Sequence, residues 1–198
     1  MISSYQKELL DDFLLPESYG KPLAAWKGQT EFFQDPAAPK APGALSPSLA
    51  ATFVEQAYVL LKLRRAVRVY RGYESAGLRA PYGVDHPSFY QGLVSQRRPG
   101  TPDGLWWSPS RPSLSIDHLG LGSIHRADDR ARTAIKLEWN RLDHYIEAVL
   151  PPDTLVYAGR VAPQQESPAY GGKRYGGSAM QFRLMALPTQ IIKTYAAE

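Results

Sequence analysis

Arg71, Ser108 and Gln181 are the residues of this 198-residue chain whose types and settings could do chemistry together. Arg71 lies in Val69-Tyr70-Arg71-Gly72-Tyr73, where period-two alternation sets Val67, Val69, Arg71 and Tyr73 on one strand face. A guanidinium on such a face offers a planar fork that can grip a phosphate through two hydrogen bonds. Ser108 and Ser110 sit in Trp106-Trp107-Ser108-Pro109-Ser110, two hydroxyls beside two large aromatics. Hydroxyls there can position a sugar while Trp107 offers a wall for a flat ring. Gln181 follows Gly176-Gly177-Ser178-Ala179-Met180, and a glycine with positive φ before the strand would aim its amide at a cleft. Cleavage of an N-glycosidic bond passes through an oxocarbenium-like state in which hydrogen bonds to the ribose hydroxyl strengthen, and an amide can supply one. Glu166, in Gln164-Gln165-Glu166, is the candidate for an added carboxylate. The expected catalytic set is therefore Gln181, Arg71 and Glu166, with Trp107, Ser108 and Ser110 as substrate contacts. Each of these also has a plain reading: a rim arginine in an ion pair, a core tryptophan, turn serines, a strand-end glutamine, a solvated loop glutamate.

Other machineries lack their parts. With no cysteine there is no disulfide, thiolate metal site or cysteine nucleophile. The segment around Ser178 lacks the second glycine of a nucleophile elbow. Gly171-Gly172-Lys173-Arg174 lacks the glycine spacing and the hydroxyl residue of a phosphate-binding loop. His86, His118, His125 and His144 show no metal-ligand spacing, so no metal is expected. The net charge of +4 suits an anionic ligand and equally suits an ordinary basic surface. No signal peptide is visible at the start, and no apolar run approaches the roughly 20 residues that span a bilayer. A soluble protein with no membrane partner is expected, and any export would use a route that reads no N-terminal signal.

The elements that must position these residues read as helices first and strands last. Ser3 or Ser4 can cap a helix carrying Leu9, Leu10, Phe13 and Leu14, and Leu23 to Phe33 suggests a weaker one broken at Gly28. Residues 35–47 are proline-rich and read as a connector. Ser46-Pro47 looks like an N-cap with proline at the first helical position, opening a helix to about Arg65. A strand begins at Val67. Residues 75–125, rich in Pro, Gly, Ser and His, read as mostly loop. The clearest predicted helix runs from about Ala127 to Leu150, where Ala131, Ile135, Trp139 or Leu142, Ile146 and Val149 form an apolar stripe opposite a charged face, stopped by Pro151-Pro152. Strands are expected at 154–162, 181–187 and 190–195, the last two as a candidate hairpin. The predicted class is α+β, with residues 1–46 as a helical lead-in and 47–198 as the functional domain.

Taken in order, Tyr70-Arg71-Gly72 and Ser108-Pro109-Ser110 resemble the first-strand arginine and Ser-Thr-Ser motifs of the ADP-ribosyltransferase superfamily. Gly159-Arg160-Val161-Ala162-Pro163 and the glycine-rich run ending at Gln181 are similar to bacterial NAD glycohydrolase toxins of the tuberculosis necrotizing toxin type. The resemblance covers residues 67–187 in patches. It adds Tyr70 and Gly72, which flank Arg71, to the expected substrate contacts. It implies a split antiparallel β core, with NAD or NADP as substrate and no cofactor. It also implies hydrolysis at the nicotinamide–ribose bond, and a toxin or interbacterial effector met by a cognate immunity protein. The loop from Gln164 to Tyr175 is longer than that family's, and its auxiliary histidine has no assigned counterpart here. Two other classes stay open. One is a transferase that attaches ADP-ribose to a protein or nucleic acid, with Glu166 supplying the carboxylate. The other, less favoured, is a non-catalytic module contacting nucleic acid through Arg64, Arg65, Arg68, Arg97 and Arg98.

Overall fold

A computed structural model describes residues 19–38, 42–73, 105–112, 114–116, 122–124, 126–134, 144–177, 179–186, 188 and 190–196. Strands dominate them, which corrects the α+β expectation with its helical lead-in. The two α-helices among the described residues are short, α1 (Pro47–Ala50) and α2 (Arg126–Thr133). Leu23 to Phe33 is a hairpin rather than a helix: β1 (Gly20–Lys27) and β2 (Thr30–Gln34) pair so that Gly28 and Gln29 form a two-residue turn. Gly28 takes φ of 61°, which explains why glycine stands there. The helix expected from residue 47 ends after one turn. A 3-10 turn (Val54–Gln56) follows, and Tyr58-Val-Leu-Leu belongs to β3 (Ala57–Leu63). The long helix expected to Leu150 ends at Thr133, and its second half is the strand β8 (His144–Leu150). The expected helix near residues 3–14 lies outside the described residues, as do Arg97, Arg98, His86, His118 and His125.

A six-stranded antiparallel sheet runs β2-β1-β3-β9-β12-β5, with β5 at Trp106–Trp107, β9 at Leu155–Arg160 and β12 at Met180–Leu184. A second sheet runs β13-β8-β4, with β4 at Val67–Tyr73 and β13 at Gln190–Ala196. Here β13 pairs with β8 and β12 with β9 and β5, so these strands are not partners in a hairpin. The strands on either side of residue 46 also pair, β1 with β3, so the main sheet crosses the expected domain boundary. Two small ribbons complete the pairing: β6 (Leu114–Ile116) with β7 (Gly122–Ile124), and β10 (Gln164–Gln165) with β11 (Arg174–Tyr175). A single bridge, Tyr70 to Ser108, links the edge strand β5 of the larger sheet to β4 of the smaller one.

Both faces of the larger sheet are buried. Val59, Leu61, Val156, Ala158, Phe182 and Trp107 pack on one side against Val69 of β4 and Ile146 and Ala148 of β8. This shared core holds the two sheets together. On the other side Trp26, Tyr58, Leu60, Trp106 and Tyr157 meet Leu45, Ala50 and Phe53 from the segment around α1. Trp26 and Phe53 both stack on Tyr58, with ring centroids 5.5 and 5.7 Å apart. The consequence for the site is direct: alternation along β4, β5 and β12 decides which side chains enter the shared core and which face outward.

Candidate functional site

Ser108 is the junction of the three sequence-distant segments. Its backbone N–H donates to the Tyr70 carbonyl at 2.8 Å and its carbonyl accepts from the Tyr70 N–H at 2.7 Å. Phe182 pairs with Trp107 and Arg183 with Trp106, and continuing that register by one residue sets Ser108 opposite Gln181. Tyr70 in turn pairs with Glu147, and Gln181 with Gly159. Side chains directly opposite in antiparallel strands share a face. The result is a polar row, Glu147, Tyr70, Ser108 and Gln181, across four adjacent strands. At about 4.8 Å per strand it is roughly 14 Å long.

Arg71 belongs to the other face. It alternates with Tyr70 and pairs with Ile146, a residue of the shared core. Its Nη1 donates to the Trp106 carbonyl at 3.4 Å. The expected site needs the Arg71 guanidinium and the Gln181 amide on one side of the sheet. The register gives their Cβ atoms opposite sides. Trp107 is likewise in the shared core, 1% exposed against Phe182, and offers no wall to a ligand. Gly72 is buried opposite Tyr145.

Ser108 and Ser110 are half-buried and interlocked. The Ser110 N–H donates to Ser108 Oγ at 3.1 Å, and that hydroxyl reaches the carbonyls of Ser110 at 3.2 Å and Met180 at 3.3 Å. With one proton it serves one carbonyl at a time. Gln181 is half-buried on the face of Arg183, whose guanidinium carbon lies 5.9 Å from the centroid of Trp106. Gly177 before this strand takes φ of 71°, and its N–H donates to the Ala131 carbonyl of α2 at 3.0 Å. A side chain there would run into the carbonyls of Val161 and Ala162. Glu166 stands in a different cluster. It is 5% exposed and accepts the Tyr175 hydroxyl at 2.7 Å, on the β10–β11 ribbon against α2. Burial, then the Glu166 carboxylate, push the Tyr175 hydroxyl up to about 12.

The acidic member of the row, Glu147, was absent from the sequence reading. It is 3% exposed and accepts Arg68 Nη1 at 2.8 Å. As part of an expected helix it fell on the charged side. The available signal was the alternation Tyr145-Ile146-Glu147-Ala148-Val149, a carboxylate inside a period-two apolar run. Arg68 shares the face of Tyr70 two residues on, and its charge acts to lower the Tyr70 hydroxyl. Burial raises the Tyr70 hydroxyl above the usual phenol range, and the Glu147 charge raises it further. Among the described residues no group of histidine and acidic side chains could hold a metal, and no helix is long and apolar enough to cross a membrane.

No family model, curated protein or solved structure matches this chain.

Proposed function

We propose that the protein is an NAD(P) glycohydrolase whose reacting groups lie along the Tyr70–Ser108–Gln181 row. The observation that carries the reading is Ser108, bonded through its backbone to β4 and through its hydroxyl to β12. Segments some 40 and 70 residues apart in sequence, each picked out for its chemistry, thus lie on adjacent strands. What the row can do is bind and orient. The Gln181 amide takes the hydroxyl of the nicotinamide ribose, and the Ser108–Ser110 turn fixes the strand that presents it. The bond from the anomeric carbon to nicotinamide breaks, and nicotinamide leaves with the electron pair. Water forms the new bond to that carbon and gives its proton to solvent. Positioning supplies most of the rate.

In this reading Arg71 supports β5 through the Trp106 carbonyl instead of meeting Gln181. Glu166, committed to Tyr175, takes no part, which leaves transfer to a macromolecule without its carboxylate. The toxin role and a cognate immunity protein travel with the glycohydrolase reading. The test is release of free nicotinamide from NAD and from NADP. Gln181→Ala is expected to reduce turnover by about 10²-fold, the scale of losing one transition-state donor, with an unchanged melting temperature. Turnover equal to wild type overturns the assignment. With labelled NAD, label retained on a macromolecule overturns hydrolysis in favour of transfer.

A further inference from the structure

We propose that the cavity beside the Tyr70–Ser108 bridge is a binding site for a phosphate-bearing small molecule, held by Arg65, Arg68 and Arg111. The cavity measures about 230 Å³ and is lined by these three arginines with Tyr19, Tyr70 and Pro109. Its origin lies in the sequence. Beyond Ser108 the next backbone N–H that could reach β4 is that of Ser110, and it donates to Ser108 Oγ at 3.1 Å instead, so the ladder between β4 and β5 stops at one bridge. The two backbones part, and the opening is flanked by the turn between β3 and β4.

Each cation arrives from a separate segment: Arg65 from that turn, Arg68 from β4, Arg111 from the chain after β5. Among the described residues one of them is neutralised by an ion pair, Arg68 with the buried Glu147 at 2.8 Å. Among the described residues neither Arg65 nor Arg111 has an ion-pair partner. The site therefore carries, among the described residues, three arginines against one carboxylate. Glu147 acts here as a positioning residue, since its bond to Nη1 fixes the Arg68 head beside Tyr70. Guanidinium groups drawn from three segments around one opening suit the several oxygens of a phosphate better than a halide or a single carboxylate. The volume argues for a group, not a whole cofactor. Drug-sized ligands occupy about 300–1,000 Å³, so 230 Å³ accepts a phosphate or pyrophosphate while the rest of its carrier lies outside. The proposal goes beyond the glycohydrolase reading and does not depend on it.

Calorimetry on the full chain with inorganic phosphate, pyrophosphate and NAD tests it. At low salt pyrophosphate is expected to bind. Arg65→Ala and Arg111→Ala should each weaken it roughly tenfold or more, the scale of one charge-assisted hydrogen bond. Both side chains are exposed, so the fold should be retained, and unchanged melting checks this. Arg174→Ala removes an equally exposed charge far along the sequence and is expected to leave binding unchanged. No binding of phosphate or pyrophosphate overturns the site, as does an equal loss in the Arg174 variant, which reports net charge alone. An oligonucleotide that outcompetes pyrophosphate overturns the small-molecule assignment. NAD binding that fails with Arg65 and Arg111 names the dinucleotide as the carrier. Binding of free pyrophosphate alone makes the free anion the ligand. If pyrophosphate binds and NAD is never cleaved, the site stands and the glycohydrolase reading falls.

Discussion

Glu166 shows how one side chain's chemistry follows from its partner rather than its neighbours in sequence. As a residue of a polar triplet it reads as a solvated loop carboxylate or a catalytic acid. In the fold it is buried and receives the Tyr175 hydroxyl at 2.7 Å. Tyr175→Phe removes the donor, takes one hydrogen bond from the buried Glu166 carboxylate and adds no volume. The loss of one such hydrogen bond to a charged group costs about 1.5–3 kcal/mol. The variant should therefore unfold at lower denaturant with the same slope, and nicotinamide release at ambient temperature should be unaltered. A wild-type midpoint would mean Glu166 is not held as described. Gln181 differs in kind. It is half-buried, pairs with a glycine, and its replacement should move turnover and leave stability alone.

At the scale of elements, Gly159 ties β9 to the segment that covers the outer face. A Cβ added there would lie 2.5 Å from Phe53 Cδ1 and 2.9 Å from the Ala57 carbonyl. The phenyl ring is 1% exposed and tilts on Trp106 with ring centroids 5.4 Å apart, so it has little room to retreat. Gly159→Ala should cost about 1–3 kcal/mol, as overpacking does, read as a lower midpoint in urea. No change would place Phe53 elsewhere. The same packing explains what the sequence concealed. Tyr58 to Leu61 is buried on both faces of a central strand, and a continuous apolar run carries no period to separate strand from helix. The strand β8 sits between two partners, and Tyr145 to Ala148 are buried on both faces too, so these residues also satisfy a helical stripe. By contrast β4 was legible, because Val67 and Val69 face the shared core while Arg68 is exposed. The site was half legible for the same reason. Residue types marked Ser108 and Gln181, but only strand register could reveal that Arg71 turns to the core and that Glu147 joins the row.

Across the whole molecule, four buried tyrosines share one titration behaviour. Tyr58, Tyr70, Tyr157 and Tyr175 all have hydroxyls raised above the ordinary phenol value, each first by burial. In the unfolded chain they ionise near pH 10, while Tyr175 in the fold holds its proton to about 12. Below pH 10 both states keep the protons and the stabilisation is complete. Above it the unfolded state sheds protons that the folded state retains, so stability falls as pH rises toward the folded values. The slope is at most about 1.4 kcal/mol per pH unit for each such tyrosine. The expected result is a melting temperature that drops steeply above pH 10. Near-ultraviolet absorbance of tyrosinate should rise in two stages, the second coinciding with unfolding. Tyr175→Phe should flatten the alkaline limb, because it removes the proton that the fold holds most firmly. If all twelve tyrosines ionised together near pH 10 while the fold persisted, the hydroxyls anchoring these cores would have to be open to solvent.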